Sequence, residues 1–220
     1  MQERGINMGK EKLAKILFST GTLVLYFGYL LLTQIIFSND ITPSITTIGF
    51  LVTILFLFLF VFLYNRKIKS DFIDYKKQKP FCNTLFYFLL TCFSFITGIV
   101  ILIICQIKYT NSLLEQFTLL PGYTCFNLLV SAPIVEAIVF GAALRNAINQ
   151  KWLYVLTSGL VYGVLNAVFM TTGFNIVSFT FPFILAGISL AVTYVKTNNL
   201  ILYIMVNCLF DVGLLLVLLI

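Results

Sequence analysis

The stretch SAPIVEAIVFGAALRNAINQK, residues 131–151, decides the fold class of this chain. It has the pattern of an apolar membrane helix that ends in basic residues, yet one carboxylate, Glu136, lies inside the apolar run. An ionised side chain at the centre of a membrane helix costs about 2.5–3.5 kcal/mol on insertion scales. A carboxylate in this position is therefore expected to have a function, and to have partners that lower this cost.

The rest of the chain has the same membrane character. Of 220 residues, 60% are hydrophobic and only 10% are charged, which excludes an ordinary soluble domain. A helix needs about 20 apolar residues to cross a bilayer. Segments that qualify are residues 16–37, 47–64, 81–106, 123–144, 152–170, 177–195 and 200–220. We predict an all-α, polytopic membrane helix bundle of about seven transmembrane helices, forming a single transmembrane domain over residues 1–220.

The basic residues indicate the orientation of these spans. If the N-terminus is cytoplasmic, only Lys108 of the 14 Lys and Arg residues falls in an outer segment. Such a bias places the N-terminus inside and the C-terminus outside. Topology then explains the net charge of +6, so the lipid bilayer is an expected partner and nucleic acid is not. The basic loop at residues 64–80 fixes the topology, or forms a surface for anionic lipid or a cytoplasmic partner.

Histidine is absent from the chain, which removes the commonest general base and metal ligand together. The five cysteines lie in or beside apolar segments without a CxxC pair, and we interpret them as small buried side chains. No cofactor is predicted.

Four polar residues remain at membrane depth. Six of the eight acidic residues, Asp71 among them, fall in predicted loops or tails, and only Glu136 and Asp211 are deep. With Asn166 and Asn207, they lie roughly 12–21 Å from the cytoplasmic face at a rise of about 1.5 Å per residue. Asn207 and Asp211 share a helix face at i,i+4. Two acids without a deep basic partner are expected to share a proton or to hold a cation between them.

Small residues on two neighbouring spans are expected to bring this polar cluster together. Gly159 and Gly163 form a GxxxG pattern, and Gly141, Ala142 and Ala143 lie on the preceding span. Residues of this size let helix backbones approach closely in a membrane.

Three short motifs resemble the CPBP (CAAX-processing and bacteriocin-processing, or Abi) family of intramembrane glutamic endopeptidases. That family shows E-E-x-x-x-R, F-x-x-x-H and H-x-x-x-N/D on successive helices. The chain has EAIVFG at 136–141, YGVLN at 162–166 and NCLFD at 207–211. The resemblance covers residues 120–215, a CPBP-like core. It implies that the catalytic positions of the family are occupied here by Glu136, Asn166, Asn207 and Asp211.

The departures from the family pattern predict that the chemistry is lost. The second glutamate of the motif is Ala137, the arginine is Gly141, and both histidines are asparagines, Asn166 and Asn207. In the family the glutamate and the histidines activate a water. Asparagine can keep a hydrogen bond but cannot transfer a proton near neutral pH. We therefore predict a degenerate, inactive site, and so a pseudoenzyme.

Three functions are compatible with this sequence. The first is a catalytically silent CPBP-like membrane protein that binds or regulates another membrane or cell-envelope protein, or acts in bacteriocin immunity. The second is an active intramembrane endopeptidase of the CAAX-protease type, with Glu136 and Asp211 as a carboxylate dyad. The third is a cation or proton conduit that uses the same oxygens. The family implies an integral, multi-pass protein of a bacterial plasma membrane.

The predicted topology is tested with reporter fusions. Reporters fused after Lys69 and Ala147 are expected on the cytoplasmic side, and reporters after Thr42 and Gly173 on the outer side. Finding the reporters at 42 and 69 on one side of the membrane would contradict the seven-span layout.

Overall fold

A computed structural model describes the backbone of residues 2–37, 42–77, 79–104, 119–170 and 176–219. Within these ranges the chain is helical and contains no strand, which confirms the all-α prediction. The helices are α1 (Gln2–Phe37), α2 (Pro43–Lys77), α3 (Pro80–Ile104), α4 (Pro121–Ala147), α5 (Lys151–Met170), α6 (Ile176–Thr197) and α7 (Leu200–Leu219). The predicted outer segment with Lys108, the ends of the third and last predicted spans, and Gly173 lie outside the described residues.

The helices have the length and surface of membrane spans. Five of those described are long and apolar enough to cross a bilayer, and Leu200–Leu216 of α7 is a shorter apolar helix. Large apolar side chains are exposed on their outer faces, such as Phe62 at 77% and Phe93 at 70%. Lipid tails supply the apolar surroundings that such faces require. The chain is an integral, multi-pass membrane protein, whose orientation stays a prediction.

The basic segment at residues 64–80 is mostly helical, so its prediction as a loop is wrong. Helix α2 does not end with the apolar run near residue 64 but continues to Lys77. Asp71, which we predicted to lie in a loop, faces inward and is only 3% exposed. On the same extension Tyr75 shares a hydrogen bond of 3.0 Å with Thr84 of α3.

Asp71 ties this extension to the turn between α6 and α7. Its Oδ2 accepts a hydrogen bond of 2.7 Å from the backbone N–H of Leu200, and its carbonyl accepts one of 2.8 Å from the side chain of Asn199. Lys67 lies 2.9 Å from Oδ1 of Asp71 and donates to the carbonyl of Asn198 at 3.1 Å. The first N–H groups of a helix have no partner within it, and the helix dipole favours an anion there. Asp71 therefore caps α7 from a distant helix.

The glycine pair of α5 packs against α6, not against α4 as we expected. A Cβ at Gly163 would lie 2.6 Å from the backbone N of Ile184, and one at Gly159 would lie 3.0 Å from the carbonyl oxygen of the same residue. These distances leave no room for a side chain, so the two backbones are in direct contact. Across the same contact, Gly187 of α6 makes room for Tyr162.

Replacing Asp71 by Ala is expected to destabilise the protein by about 1–3 kcal/mol, because the buried N–H of Leu200 loses its acceptor and Lys67 loses its carboxylate partner. Asp74→Ala is the matched control, since Asp74 lies one turn further on and is exposed. Thermal unfolding in detergent measures both variants. Equal melting temperatures for the two would show that Asp71 does not cap α7.

Candidate functional site

Glu136 lies in the middle of α4 and is 7% exposed. Two π-helical segments enclose its short α-helical turn, Asn127–Ser131 before it and Ala137–Ala143 after it. At the end of the first, Ala132 N–H donates to Asn127 O, and at the end of the second, Leu144 N–H donates to Val139 O. Each bond spans five residues instead of four. Single π turns of this kind occur frequently at functional sites.

Each π segment contains a backbone carbonyl that accepts from a side chain of another helix. Pro133 has no N–H, so it cannot continue the α-helical hydrogen-bond ladder of α4. Leu129 O, which lies four residues before it, accepts a contact of 3.5 Å from the thiol of Cys208 in α7. In the second segment, Phe140 O accepts a hydrogen bond of 2.8 Å from the hydroxyl of Tyr154 in α5. Neighbouring helices thus provide partners for carbonyls in both segments.

Asn207 of α7 makes the central contact of the site. Its Nδ2 donates a hydrogen bond of 2.8 Å to Oε2 of Glu136. Its Oδ1 accepts one of 3.3 Å from the hydroxyl of Tyr162 in α5. Asn207 is fully buried, so neither bond competes with water at a surface. One amide therefore connects three helices, and it does so at a position where the family pattern has a histidine.

The two other predicted site residues lie beside this contact. Asn166 is half-buried, and its Nδ2 donates to Tyr162 O on its own helix at 3.0 Å, while its side chain also interacts with Glu136. Asp211 is 5% exposed and close enough to Glu136 for their charges to interact. The structure therefore brings together Glu136, Asn207 and Asp211, with Asn166 partly committed to its own backbone.

Tyrosines complete the surroundings of Glu136, and the sequence analysis missed them. Tyr26 of α1 and Tyr203 of α7 are both buried and interact electrostatically with Glu136. Among the residues that the structure describes, none forms a hydrogen bond with the Tyr203 hydroxyl. Tyr203 lies four residues before Asn207 and so shares its helix face, a signal that was available in the sequence. Nothing in the sequence pattern indicates Tyr26, which lies 110 residues from Glu136 in an unremarkable apolar helix.

The position of the family arginine is closed. A Cβ at Gly141 would lie 3.4–3.5 Å from Tyr194, Leu200 and Tyr203, which is ordinary van der Waals contact. A methyl group fits there, but a guanidinium would have to displace buried side chains. Ala137, which stands where the family has its second glutamate, is also fully buried. Both positions are filled as parts of an apolar core.

The described residues contain no group of three or more His, Cys, Asp or Glu side chains that could hold a metal ion. The oxygen atoms available beside Glu136 and Asp211 are those of amides and tyrosines. Whether the two acids hold a proton or a cation between them stays a prediction.

The protein is therefore a multi-pass membrane protein with a buried carboxylate site, in which Glu136 is hydrogen-bonded to a polar side chain of a neighbouring helix. Residues 118–213 match the model of the family described as "Type II CAAX prenyl endopeptidase Rce1-like", which is of the CPBP type. This match confirms the resemblance seen in the motifs, and over these residues the chain is similar to that family. No curated protein and no solved structure matches the chain.

The closed position at Gly141 is tested by two substitutions. Gly141→Ala is expected to fold with unchanged stability, because the added methyl group makes ordinary contacts. Gly141→Arg is expected to lower stability by about 3 kcal/mol or more, because it buries a charge that has no room to find a partner. Monodispersity on size exclusion and thermal unfolding in detergent measure this difference. An arginine variant as stable as the alanine variant would mean that the family pocket is still open.

Proposed function

We propose that this protein is a catalytically silent CPBP-type membrane protein that binds another membrane or cell-envelope protein instead of cleaving it. The family match to residues 118–213 supports a CAAX-protease-type membrane protein. The finer proposal, that cleavage has been replaced by binding, rests on the chemistry of the residues around Glu136.

The hydrogen bond between Asn207 and Glu136 carries this proposal. Activation of a water requires a group that takes its proton and later gives it up. Asn207 stands where the family has a histidine, and its amide donates to the carboxylate at 2.8 Å without an ionisable proton to exchange. Its other end is engaged by Tyr162 at 3.3 Å. The contact keeps the shape of an acid–base pair, but it has no means of proton transfer.

The filled positions at residues 137 and 141 also support the proposal. A polar oxyanion-stabilising group has to reach the reacting atoms. In place of the family's charged side chains, this chain has Ala137 and Gly141 in an apolar core with Tyr194, Leu200 and Tyr203. A substrate carbonyl beside Glu136 would therefore meet no cation from these positions.

The first experiment tests for cleavage. The purified protein in liposomes is incubated with a prenylated peptide that ends in a CAAX motif, beside an active member of the family as positive control. We expect no cleavage by the wild type, by Glu136→Gln or by Asp211→Asn. Cleavage by the wild type that disappears in Glu136→Gln would show that the protein is an active peptidase.

The second experiment tests for binding. The wild type and Glu136→Gln are crosslinked in native membranes, and the captured proteins are identified by mass spectrometry. Glutamine keeps the shape of the side chain and can still accept from Asn207, so both forms are expected to capture the same membrane or envelope protein. Recovery of no specific protein with either form would contradict the binding role even if cleavage is absent.

A further inference from the structure

The lipid-exposed face of α2 continues into a row of basic side chains. At about 100° per residue, every third or fourth position of a helix lies on one face. Along one face of α2, four apolar side chains are 62–77% exposed: Leu51, Leu55, Phe58 and Phe62. The same face then carries four more exposed side chains, which we call the basic stripe: Arg66, Lys69, Ile73 and Lys76. All eight positions fall within about 80° of one another around the helix axis, so the basic stripe continues a lipid-facing surface.

The opposite face of the same turns packs against the protein. Tyr64 and Asp71 are buried there, and Asp71 accepts a hydrogen bond of 2.7 Å from the backbone N–H of Leu200. Lys67 donates to Oδ1 of Asp71 and to the carbonyl of Asn198 in the turn between α6 and α7. These contacts fix the rotation of this part of α2. The basic stripe is therefore held toward the surroundings of the bundle.

Helix α3 shows at which depth the basic stripe lies. The hydrogen bond of 3.0 Å between Tyr75 and Thr84 places these two residues at the same depth. Phe81 and Phe86 lie within one turn of Thr84 and are 77% and 63% exposed, while Lys76 follows Tyr75 directly. Large apolar and basic side chains are thus exposed at one depth, as is typical of a membrane interface. There, Lys and Arg pack their stems on apolar surface and extend their charges to the headgroups.

The charges of the basic stripe are not neutralised by the acids of α2. Asp71 faces inward and pairs with Lys67. Asp74 is exposed, but it lies at least about 80° around the helix from every member of the stripe. Among the residues that the structure describes, no carboxylate forms an ion pair with the stripe. Lys76 contacts only the face of the Phe72 ring, at 4.4 Å. The stripe is therefore open to an anion from the surroundings.

We propose that the basic stripe of α2 binds the headgroups of anionic phospholipids. The guanidinium of Arg66 can donate two parallel hydrogen bonds to a phosphate, and Lys69 adds a second positive charge one turn further on. Ile73 lies on the same face between Lys69 and Lys76, so the stripe also offers apolar contact. A headgroup with a net negative charge is favoured over a zwitterionic one, because the latter brings a cation of its own to the basic side chains.

Continuity with the lipid-facing surface favours a lipid over a protein partner. A lipid tail packs against Phe58 and Phe62, which are 69% and 77% exposed. The headgroup of the same molecule then reaches Arg66, which lies about 6 Å further along the helix axis. A protein partner outside the membrane would reach the charges, but not the apolar side chains that precede them at membrane depth.

The proposal does not depend on the proposed function. The lipid-facing surface and the basic stripe both lie outside residues 118–213, so the family match does not imply them. A silent binding protein and an active peptidase would each retain this lipid contact.

The experiment measures lipid affinity by native mass spectrometry of the full-length protein in detergent. The probes are phosphatidylglycerol and phosphatidylcholine with the same acyl chains. We expect the wild type to bind phosphatidylglycerol about fivefold more tightly or better, since one Lys or Arg near an anionic membrane surface contributes about this factor. Arg66→Gln/Lys69→Gln is expected to abolish the preference. Both side chains are exposed, so the melting temperature is expected to stay unchanged.

A matched control removes the same charge from the same end of the bundle. Lys151→Gln/Lys196→Gln replaces two exposed lysines at the start of α5 and near the end of α6. The rings of Tyr154 and Tyr194, 6.5 Å apart, place these two helix ends beside each other. The control is expected to keep the preference for phosphatidylglycerol. An equal loss in both double variants would show a general effect of net charge and overturn the proposal, as would a preference that neither changes.

Two further results would overturn the choice of ligand. Inorganic phosphate in large excess is expected not to displace phosphatidylglycerol, and displacement would show a site for a small soluble anion. A photo-crosslinking amino acid in place of Ile73, activated in native membranes, is expected to give mainly lipid adducts. Mainly protein adducts would show that a protein partner covers the stripe.

Discussion

The hydrogen bond from Asn207 to Glu136 is the contact on which the arrangement of this bundle depends. A carboxyl group within a membrane helix needs hydrogen-bond partners, and a buried polar group left without one costs about 1–3 kcal/mol, and more if it is charged. Asn207 supplies that partner from α7 at 2.8 Å, and Tyr162 orients the amide from α5 at 3.3 Å. These two hydrogen bonds determine which faces of α4, α5 and α7 are turned toward one another. Phe140, which packs edge-to-face against both Tyr26 and Tyr162, then closes the apolar core around them.

The sequence predicted the helices and most of the polar contacts for simple physical reasons. Apolar runs of sufficient length allow few alternatives to membrane helices. Polar residues within such runs have to find one another, which is why Glu136 and Asn207 meet. Asn166 departs from this expectation because an asparagine in a helix can bond to the carbonyl four residues earlier, and it does so with Tyr162. The glycine pair departs because a groove of small residues does not specify which neighbouring helix enters it. Ile184 of α6 does so.

The role of Asp71 was beyond the reach of sequence reasoning. Its acceptor contact with Leu200 joins residues 129 positions apart, and no local pattern encodes such a pairing. The segment around Asp71 is rich in lysine, which is typical of a solvated loop. Only the packed structure shows that the Asp71 side chain faces the N-terminus of α7. The consequence reaches the site, because α7 carries both Asn207 and Asp211. The first two helices thus shape the polar site although they precede the family-matched segment, through Tyr26 as well as through Asp71.

The two π segments around Glu136 have a consequence for comparing this chain with others. A π turn contains one residue more than the α turn it replaces, so each segment is equivalent to an insertion of one residue within a helix. A relative whose corresponding helix is regular would align with this chain only after a one-residue gap on each side of the glutamate. Without those gaps, the residues that follow Glu136 would be assigned to the wrong face of the helix.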